Sequence, residues 1–172
     1  KIKINKNIFP VYDTLEVLIA GCGTGQQAIN TYSKLFKSKV TAIDFSRSSL
    51  GFALRKSKQL DIDIEYIHGD ILEIEKLKKK FDLIECVGVL HHMEEPENGL
   101  FSLLSILNEG GMIFLGLYSR LARKNIHDYR KEFLQDNENI NIDKIKEIRE
   151  TIIKKNSLKD KNLFYSEDFY ST

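Results

Sequence analysis

One stretch limits the fold of this chain more than any other: residues 17–25, where an apolar run ends in three alternating glycines, VLIAGCGTG. The unbroken apolar run predicts a strand that is buried on both faces, as in a parallel sheet. The glycines predict a tight turn where backbone passes close to a bound group, because a Cβ atom would block that approach. A strand, a glycine turn and an immediately following helix are typical of nucleotide-binding α/β proteins.

The composition is ordinary for a soluble globular protein and argues against several classes of partner. The 172 residues suffice for one domain with a hydrophobic core, which we expect to span 1–172. A net charge of +1 indicates neither nucleic acid nor membrane as a partner, and no apolar run approaches the roughly 20 residues that cross a bilayer. The two cysteines make no disulfide framework, so we expect a reduced, cytoplasmic setting. Because the chain begins at Lys1 and ends without a closing element, we expect it to be a piece of a longer protein.

Apolar runs and amphipathic stretches alternate along residues 15–117. The pattern predicts strands at 15–20, 39–44, 62–67, 81–87 and 112–117, with helices between them. This order predicts a doubly wound, mostly parallel α/β sheet with helices on both faces. We divide the domain into an N-terminal arm (1–14), a cofactor-binding core (15–118), and C-terminal helices and tail (119–172). In the last part, helices are predicted at 119–134 and 143–155, separated by an Asn-rich linker at 137–141.

Two of the core helices have clear start or stop signals. Ser46 suits the N-cap of a helix that continues to residue 60. The residues of that helix expected to face the core are Leu50, Ala53, Leu54 and Leu60. Pro96 suits the first turn of a later helix, and Gly110 is expected to end it in a left-handed conformation.

The residues suited to chemistry all follow predicted strands: the glycine turn, Asp44, Gly69-Asp70, residues 87–92 and Tyr118. In open parallel sheets, ligands bind beyond the carboxyl ends of the strands, where the strand order reverses. The sequence therefore predicts one site at that edge of the sheet.

Two carboxylates are candidates for binding a nucleoside. Asp44 lies about 20 residues beyond the glycine turn, and a carboxylate there can accept both hydroxyls of a ribose. Its alternative role as a helix cap is weakened because Ser46 can serve as the cap. Asp70 is placed to receive an adenine amino group, with Ile71 beside the ring. Asp70 can also cap the helix that follows, and one carboxylate can do both through different oxygens.

The spacing of the glycines argues against NAD as the nucleotide cofactor. NAD sites use G-x-G-x-x-G, where the third glycine lets the helix approach the strand. Here Gly25 comes one position too early, and Gln26 stands where the third glycine would be. Gly69-Asp70 after the third strand and the VLHH string at 89–92 are further features that an NAD domain does not require.

Together these stretches resemble the motifs of the class I S-adenosylmethionine-dependent methyltransferases, a family with a Rossmann-like fold, over residues 15–117. Residues 17–25 resemble the motif that holds the methionine and ribose end of the cofactor. Asp44 matches the ribose-binding acid, and residues 69–71 match the adenine-binding stretch. Residues 81–92 resemble the motif beside the methyl group, and residues 110–112 the motif that leads the fifth strand.

The resemblance implies S-adenosyl-L-methionine as cofactor and S-adenosyl-L-homocysteine as product. It implies these cofactor-binding residues: Gly21, Cys22, Gly23, Thr24, Gly25, Asp44, Phe45, Ser46, Gly69, Asp70, Ile71, Val87 and Gly88. The family's full sheet has two further strands, for which residues after 134 show no pattern, so we expect the sheet to lack them. The strings GVLHHM at 88–93 and GLYSRLAR at 116–123 are similar to bacterial methyltransferase domains often attached to tetratricopeptide repeats, which implies such repeats in a longer chain.

The histidine pair at 91–92 is the candidate for catalysis. Methyl transfer from a sulfonium requires mainly alignment of the reactants and exclusion of water. Where the acceptor must lose a proton, histidine has a suitable pKa, so His91 or His92 is the predicted base. Alternatively, one ring packs against the next helix and the other only shapes the pocket. No metal is expected, since adjacent loop residues rarely point at one ion.

The absence of two sequence features limits the chemical classes of methyl acceptor that we expect. The fourth motif lacks the Asn/Asp-Pro-Pro-Tyr/Phe pattern that holds a planar amino group, and no basic stripe supports RNA binding. A small molecule with an oxygen, nitrogen or activated carbon acceptor is therefore predicted. Two rival functions stay open at this point: an NAD-dependent oxidoreductase with an unusual turn, and a non-catalytic, methyltransferase-like interaction module of a longer protein.

Overall fold

The computed structural model of the chain describes residues 14–119, 121, 124–133 and 141–156. Residues 1–13 of the predicted N-terminal arm, nearly all of the Asn-rich linker and the tail after 156 lie outside the described residues. The chain divides into two compact units, one up to Leu117 and the other from Tyr118. The organisation as a single domain stays a prediction.

The first unit is built on a five-stranded sheet with the order β3-β2-β1-β4-β5, and every neighbouring pair runs parallel. The strands are β1 (Leu15–Ala20), β2 (Ser38–Asp44), β3 (Ile64–His68), β4 (Phe81–Val87) and β5 (Leu107–Gly116). The strand order reverses between β1 and β4, which places the predicted ligand edge at the end of β1. The predicted parallel α/β fold is confirmed.

The connections of this unit are the helices α1 (Gln26–Lys34), α2 (Arg47–Gln59) and α3 (Pro96–Ser105), with 3-10 segments at Ile71–Leu77 and Leu90–His92. A separate apolar core covers each face of the sheet. Along β1, Val17 and Ile19 belong to the cluster that includes Ala28 of α1, whereas Leu18 and Ala20 belong to the cluster that includes Leu103 of α3. This alternation agrees with a strand that is buried on both faces, as predicted.

Helix α2 begins as predicted but faces the core through different residues. The Ser46 hydroxyl accepts a hydrogen bond from the Ser49 N–H at 3.3 Å, so the predicted cap is confirmed. The inward positions are Leu50, Ala53 and Ser57. Leu54 and Leu60 are 42% and 56% exposed, so their predicted burial is wrong. Positions 50, 53 and 57 share one face at helical spacing, and Ser57 is tolerated there because its hydroxyl pairs with that of Tyr66 at 2.8 Å.

The boundary between α3 and β5 is also corrected. Helix α3 ends at Ser105, and β5 starts at Leu107, five residues before its predicted start. Gly110 has a φ of 75° but lies in the irregular part of β5, so its predicted role as a helix stop is wrong. Buried Asp82 explains the early start: one of its carboxylate oxygens accepts from Asn108 Nδ2 at 2.7 Å and the other from the N–H of Glu16 at 2.9 Å. These bonds tie β5 and β1 to β4 at the start of the sheet.

The second unit contains α4 (Lys124–Phe133) and α5 (Ile142–Asn156). The predicted ranges were 119–134 and 143–155, so α4 starts later than expected. Within the described part of the chain, no helix is long and apolar enough to cross a membrane.

Candidate cofactor-binding site

The glycine turn after β1 is held against the end of β2. The N–H groups of Gly21 and Cys22 both donate to the carbonyl oxygen of Ile43, at 2.8 and 3.0 Å. The Gly25 N–H then donates to the Cys22 carbonyl at 2.9 Å, which closes the turn before α1. Three backbone hydrogen bonds therefore help to fix the turn.

The three glycines serve two different purposes. A Cβ at Gly21 would overlap the side chain of Val89, and a Cβ at Gly25 would lie 2.6 Å from the Cβ of Ala53. Those two positions need glycine because other elements pack against the turn. Gly23 has a φ of 52°, and a Cβ added there would meet no atom within 4 Å, so its missing side chain leaves open space. Other elements therefore pack against the turn at Gly21 and Gly25, whereas Gly23 at its centre borders open space.

Asp44, at the end of β2, orients this turn. One carboxylate oxygen accepts the Gly23 N–H at 2.7 Å, and the other accepts the Ser46 N–H at 2.8 Å. Each carboxylate oxygen can accept more than one hydrogen bond, so capacity for a diol remains. The predicted contact with a ribose stays a prediction, but the carboxylate is already fixed at the predicted position.

A cavity of about 530 Å³ opens at the carboxyl ends of the strands, and we call it the strand-end cavity. It is lined by Gly21, Ile43, Asp44, Phe45, Gly69, Asp70, Ile71, Leu72, Gly88, Val89, His92, Met93 and Glu94. Phe45 is 76% exposed, and its carbonyl oxygen lies 3.1 Å from His68 Nε2. The cavity therefore combines an exposed aromatic ring, the carboxylates of Asp44 and Asp70, and apolar side chains.

Asp70 caps the 3-10 segment that follows β3. Its Oδ1 accepts the N–H of Leu72 at 2.9 Å, which confirms the capping role allowed by the sequence. Asp70 also lines the strand-end cavity, so both interpretations of this residue stand together, with the adenine contact still a prediction.

The histidine pair divides between two environments. The rings of His91 and His92 are in contact, with centroids 4.3 Å apart. His92 is exposed and lines the strand-end cavity, whereas both ring nitrogens of His91 are shielded from solvent and His91 does not line that cavity. Next to them, Gly88 has a φ of 77° and leaves open space where a Cβ would stand. Of the two candidate bases, His92 is the one at the cavity.

A second cavity, the α1 cavity, has a volume of about 630 Å³ and lies between α1, β4 and β5. It is lined by Gly21, Cys22, Gly23, Thr24, Gln26, Gln27, Asn30, Thr31, Lys34, Leu35, Leu83, Glu85, Val87 and Phe114. Gly21 lines both cavities, so they meet at the glycine turn.

Glu85 in the α1 cavity was missed by the sequence reasoning. It lies in mid-β4, between the fully buried Ile84 and Cys86, and its Oε2 accepts from Gln27 Nε2 at 2.7 Å and from the Thr31 hydroxyl at 2.9 Å. The available signal was an acid in a strand that, apart from Asp82 near its start, is apolar on both faces, because buried charge persists where it has partners.

Cys22 contributes no nucleophile. Burial, with a smaller contribution from the charge of Asp44, raises the pKa of the Cys22 thiol to about 12, so the thiol stays protonated near neutral pH. No group of three or more His, Cys, Asp or Glu side chains suited to a metal ion occurs among the described residues.

Most predicted cofactor residues line one of the two cavities. Those at the strand-end cavity are Gly21, Asp44, Phe45, Gly69, Asp70, Ile71 and Gly88, and those at the α1 cavity are Cys22, Gly23, Thr24 and Val87. Gly25 and Ser46 line neither: Gly25 allows the approach of α2, and Ser46 caps it. Their predicted binding roles stay predictions.

Comparisons with known proteins agree with this geometry. A family model described as a methyltransferase domain matches residues 17–111. The ubiquinone biosynthesis O-methyltransferase of Rickettsia bellii is 29% identical over 157 residues, covering 77% of this chain and 64% of that protein. An S-adenosylmethionine-dependent methyltransferase of Clostridium acetobutylicum matches with a TM-score of 0.58 and 21% identity, over 74% of this chain and 50% of that chain. PKMT2 of Rickettsia typhi in complex with AdoHcy matches with a TM-score of 0.69 and 21% identity, over 94% and 32%.

The fold and the glycine turn define a nucleotide-binding α/β protein of the parallel type. The family match, which covers more than half of the chain, is more specific: the chain belongs to the methyltransferase domain family. The predicted membership of a methyltransferase family is thereby confirmed, and the comparisons support neither rival function. The chain spans less than two thirds of the length of the curated relatives it matches. The link to tetratricopeptide repeats stays a prediction.

Proposed function

We propose that this chain binds S-adenosyl-L-methionine at the glycine turn and transfers its methyl group to an oxygen atom of a small molecule. The observation that carries the proposal is the strand-end cavity, which adjoins the reversal of strand order and brings Asp44, Asp70 and His92 together. The family match supports the reaction class. The acceptor atom is supported by the similarity to the Rickettsia bellii relative, an O-methyltransferase of ubiquinone biosynthesis.

The residues present fit such a cofactor. Gly23 and Gly88 leave open space where side chains would otherwise project, and Asp44 offers carboxylate oxygens for a ribose diol. Asp70 would accept a hydrogen bond from an adenine amino group, while Phe45 and Ile71 would contact the ring. When bound, the cofactor supplies an electrophilic methyl group on sulfur. The chain's own residues bind it, orient it and keep water from the reacting atoms.

His92 is the proposed general base for the acceptor hydroxyl. Its place in the strand-end cavity supports this role, because an imidazole there can accept the proton of a hydroxyl. The neighbouring His91 ring limits the orientations open to His92. A cytoplasmic setting and attachment to tetratricopeptide repeats are further proposals, supported by the free thiols of Cys22 and Cys86 and by the string at 88–93.

The cofactor assignment is tested by thermal unfolding of the chain with added ligands. A ligand that binds the native state raises the melting temperature with its concentration. We expect S-adenosylhomocysteine to raise it and NAD to leave it unchanged. Stabilisation by NAD alone would contradict the proposal.

The acceptor is tested by incubating the chain with methyl-labelled S-adenosylmethionine and a cell extract, then separating small molecules from macromolecules. We expect label in the small-molecule fraction as an O-methyl product. Label confined to protein or RNA would refute a small-molecule acceptor.

With that product in hand, His92→Ala should lower the rate by about 10²- to 10⁴-fold, as for loss of a general base. His91→Phe, which keeps a ring against His92, should retain most of the activity. Equal losses in both variants would refute the assignment of His92 as the base.

A further inference from the structure

The proposed function gives no role to the carboxylate of Glu85 in the α1 cavity. Glu85 stands opposite Ile19 on β1 and Phe114 on β5 in the sheet register. Its side chain therefore lies on the face of the sheet that α1 covers, beside the strand that leads into the glycine turn. The same cavity is lined by Gly21 to Thr24, so Glu85 and the turn border one continuous space.

The hydrogen bonds of Glu85 fix its orientation and leave one oxygen available. Gln27 and Thr31 both donate to Oε2. Among the described residues, no donor is assigned to Oε1. Two donors on one oxygen hold the carboxylate in place, so it presents Oε1 without a further loss of side-chain freedom.

The charge balance of the α1 cavity favours a cationic group near the turn. Among the residues that line it, Glu85 is the only acid, and Lys34 is the only base. Gln27, which contacts Glu85, lies in the first turn of α1, whereas Lys34 ends that helix, about 10 Å further along at 1.5 Å per residue. The negative charge of the cavity thus lies at its glycine-turn end.

We propose that Glu85 binds the α-ammonium group of the cofactor's methionine part. The inference rests on the proposed function, because it takes the cofactor to lie across the glycine turn. The nucleoside then occupies the strand-end cavity, and the amino-acid part crosses Gly21 into the α1 cavity. A half-buried carboxylate that is already held by neutral donors is a suitable partner for an ammonium, since partial burial strengthens an ion pair relative to an exposed one.

The test compares two ligands that share adenosine and a thioether. S-adenosylhomocysteine carries the amino-acid part, and 5′-methylthioadenosine lacks it. Glu85→Gln keeps an oxygen that can accept from Gln27 and Thr31 but removes the charge. We expect this variant to bind S-adenosylhomocysteine about 10- to 100-fold more weakly in calorimetric titration, as for a lost charge-assisted hydrogen bond. Its affinity for 5′-methylthioadenosine should stay within about twofold of the original chain.

Glu65→Gln is the matched control, because Glu65 lies on β3, pairs with Lys79 and lines neither cavity. It should bind both ligands like the original chain. Equal weakening of both ligands in Glu85→Gln would show that Glu85 only ties α1 to β4, and unchanged binding of both would remove it from the site. Either result overturns this inference while the original chain still binds S-adenosylhomocysteine. If the original chain binds neither ligand, the proposed function itself fails.

Discussion

Gly23→Leu should separate folding from cofactor binding. A Cβ added at residue 23 would meet nothing within 4 Å, so the side chain would start into open space. Its cost to the fold is the left-handed backbone, with a φ of 52°, which is worth about 1–2 kcal/mol for a residue with a Cβ. Such a cost is small beside the roughly 5–15 kcal/mol typical of a domain, so the variant should stay folded. The melting temperature should fall by about 3–10 °C.

The loss of binding should be measurable in a variant that stays folded. Gly23 lines the α1 cavity, and a leucine adds a branched apolar side chain where the proposed cofactor approaches the backbone. Forcing extra methylenes into a close-packed contact costs about 1–3 kcal/mol. This corresponds to roughly 5- to 150-fold weaker binding, since each 1.4 kcal/mol is tenfold.

The assay is calorimetric titration with S-adenosylhomocysteine, together with thermal unfolding of the ligand-free chain. Gly51→Leu is the matched control, because Gly51 lies in α2, lines neither cavity and also has open space at its Cβ. It should bind the ligand normally. If Gly23→Leu also bound normally while folded, the cofactor would lie elsewhere and the placement at the turn would be refuted.

Three further predictions concern the free energy of unfolding. In chemical denaturation, Gly21→Ala should lower the free energy of unfolding by about 2–4 kcal/mol, because backbone strain adds to overlap with Val89. Adding Val89→Ala should remove the overlap and restore that part of the loss. No recovery in the double variant would contradict this packing. Asp82→Ala should cost about 2–4 kcal/mol in the same assay, because it leaves the donors from β1 and β5 without an acceptor, whereas a loss below about 1 kcal/mol would show that water replaces the carboxylate. The Cys22 pKa is raised on folding from 9.0 to about 12, so its stabilising contribution is complete below pH 9 and is lost as the pH rises towards 12. Cys22→Ala should therefore weaken the fall in unfolding free energy between about pH 9 and 11, and an unchanged pH profile would contradict the burial of this thiol.

The elements that position the site could be read from the sequence because several local signals agreed. The apolar run, the glycine turn, Asp44 and the Ser46 cap each specify a neighbouring stretch of backbone, and the structure places them together. Agreement between local signals is what makes a sequence specify one fold.

The errors occurred where long-range contacts override a local pattern. Gly110 follows a helical stripe and suits a helix stop, but Asp82 binds Asn108 and draws that segment into the sheet. Ser57 is buried in α2 because Tyr66 of another element supplies its partner. The orientation of the Glu85 carboxylate depends on donors that lie 54 and 58 residues away in the sequence. No local periodicity carries such information.

The double hydrogen bond of Asp44 has a consequence for how mutants of this site are interpreted. The same carboxylate that faces the strand-end cavity also joins the Gly23 amide to the first residues before α2. Replacing Asp44 would release the glycine turn as well as remove a ligand contact, so a loss of affinity in that variant has two causes that a binding curve cannot separate. At residue 44, one side chain serves both ligand binding and the structure of the turn, whereas at residue 23 the effects of a substitution on binding and on folding can be measured separately.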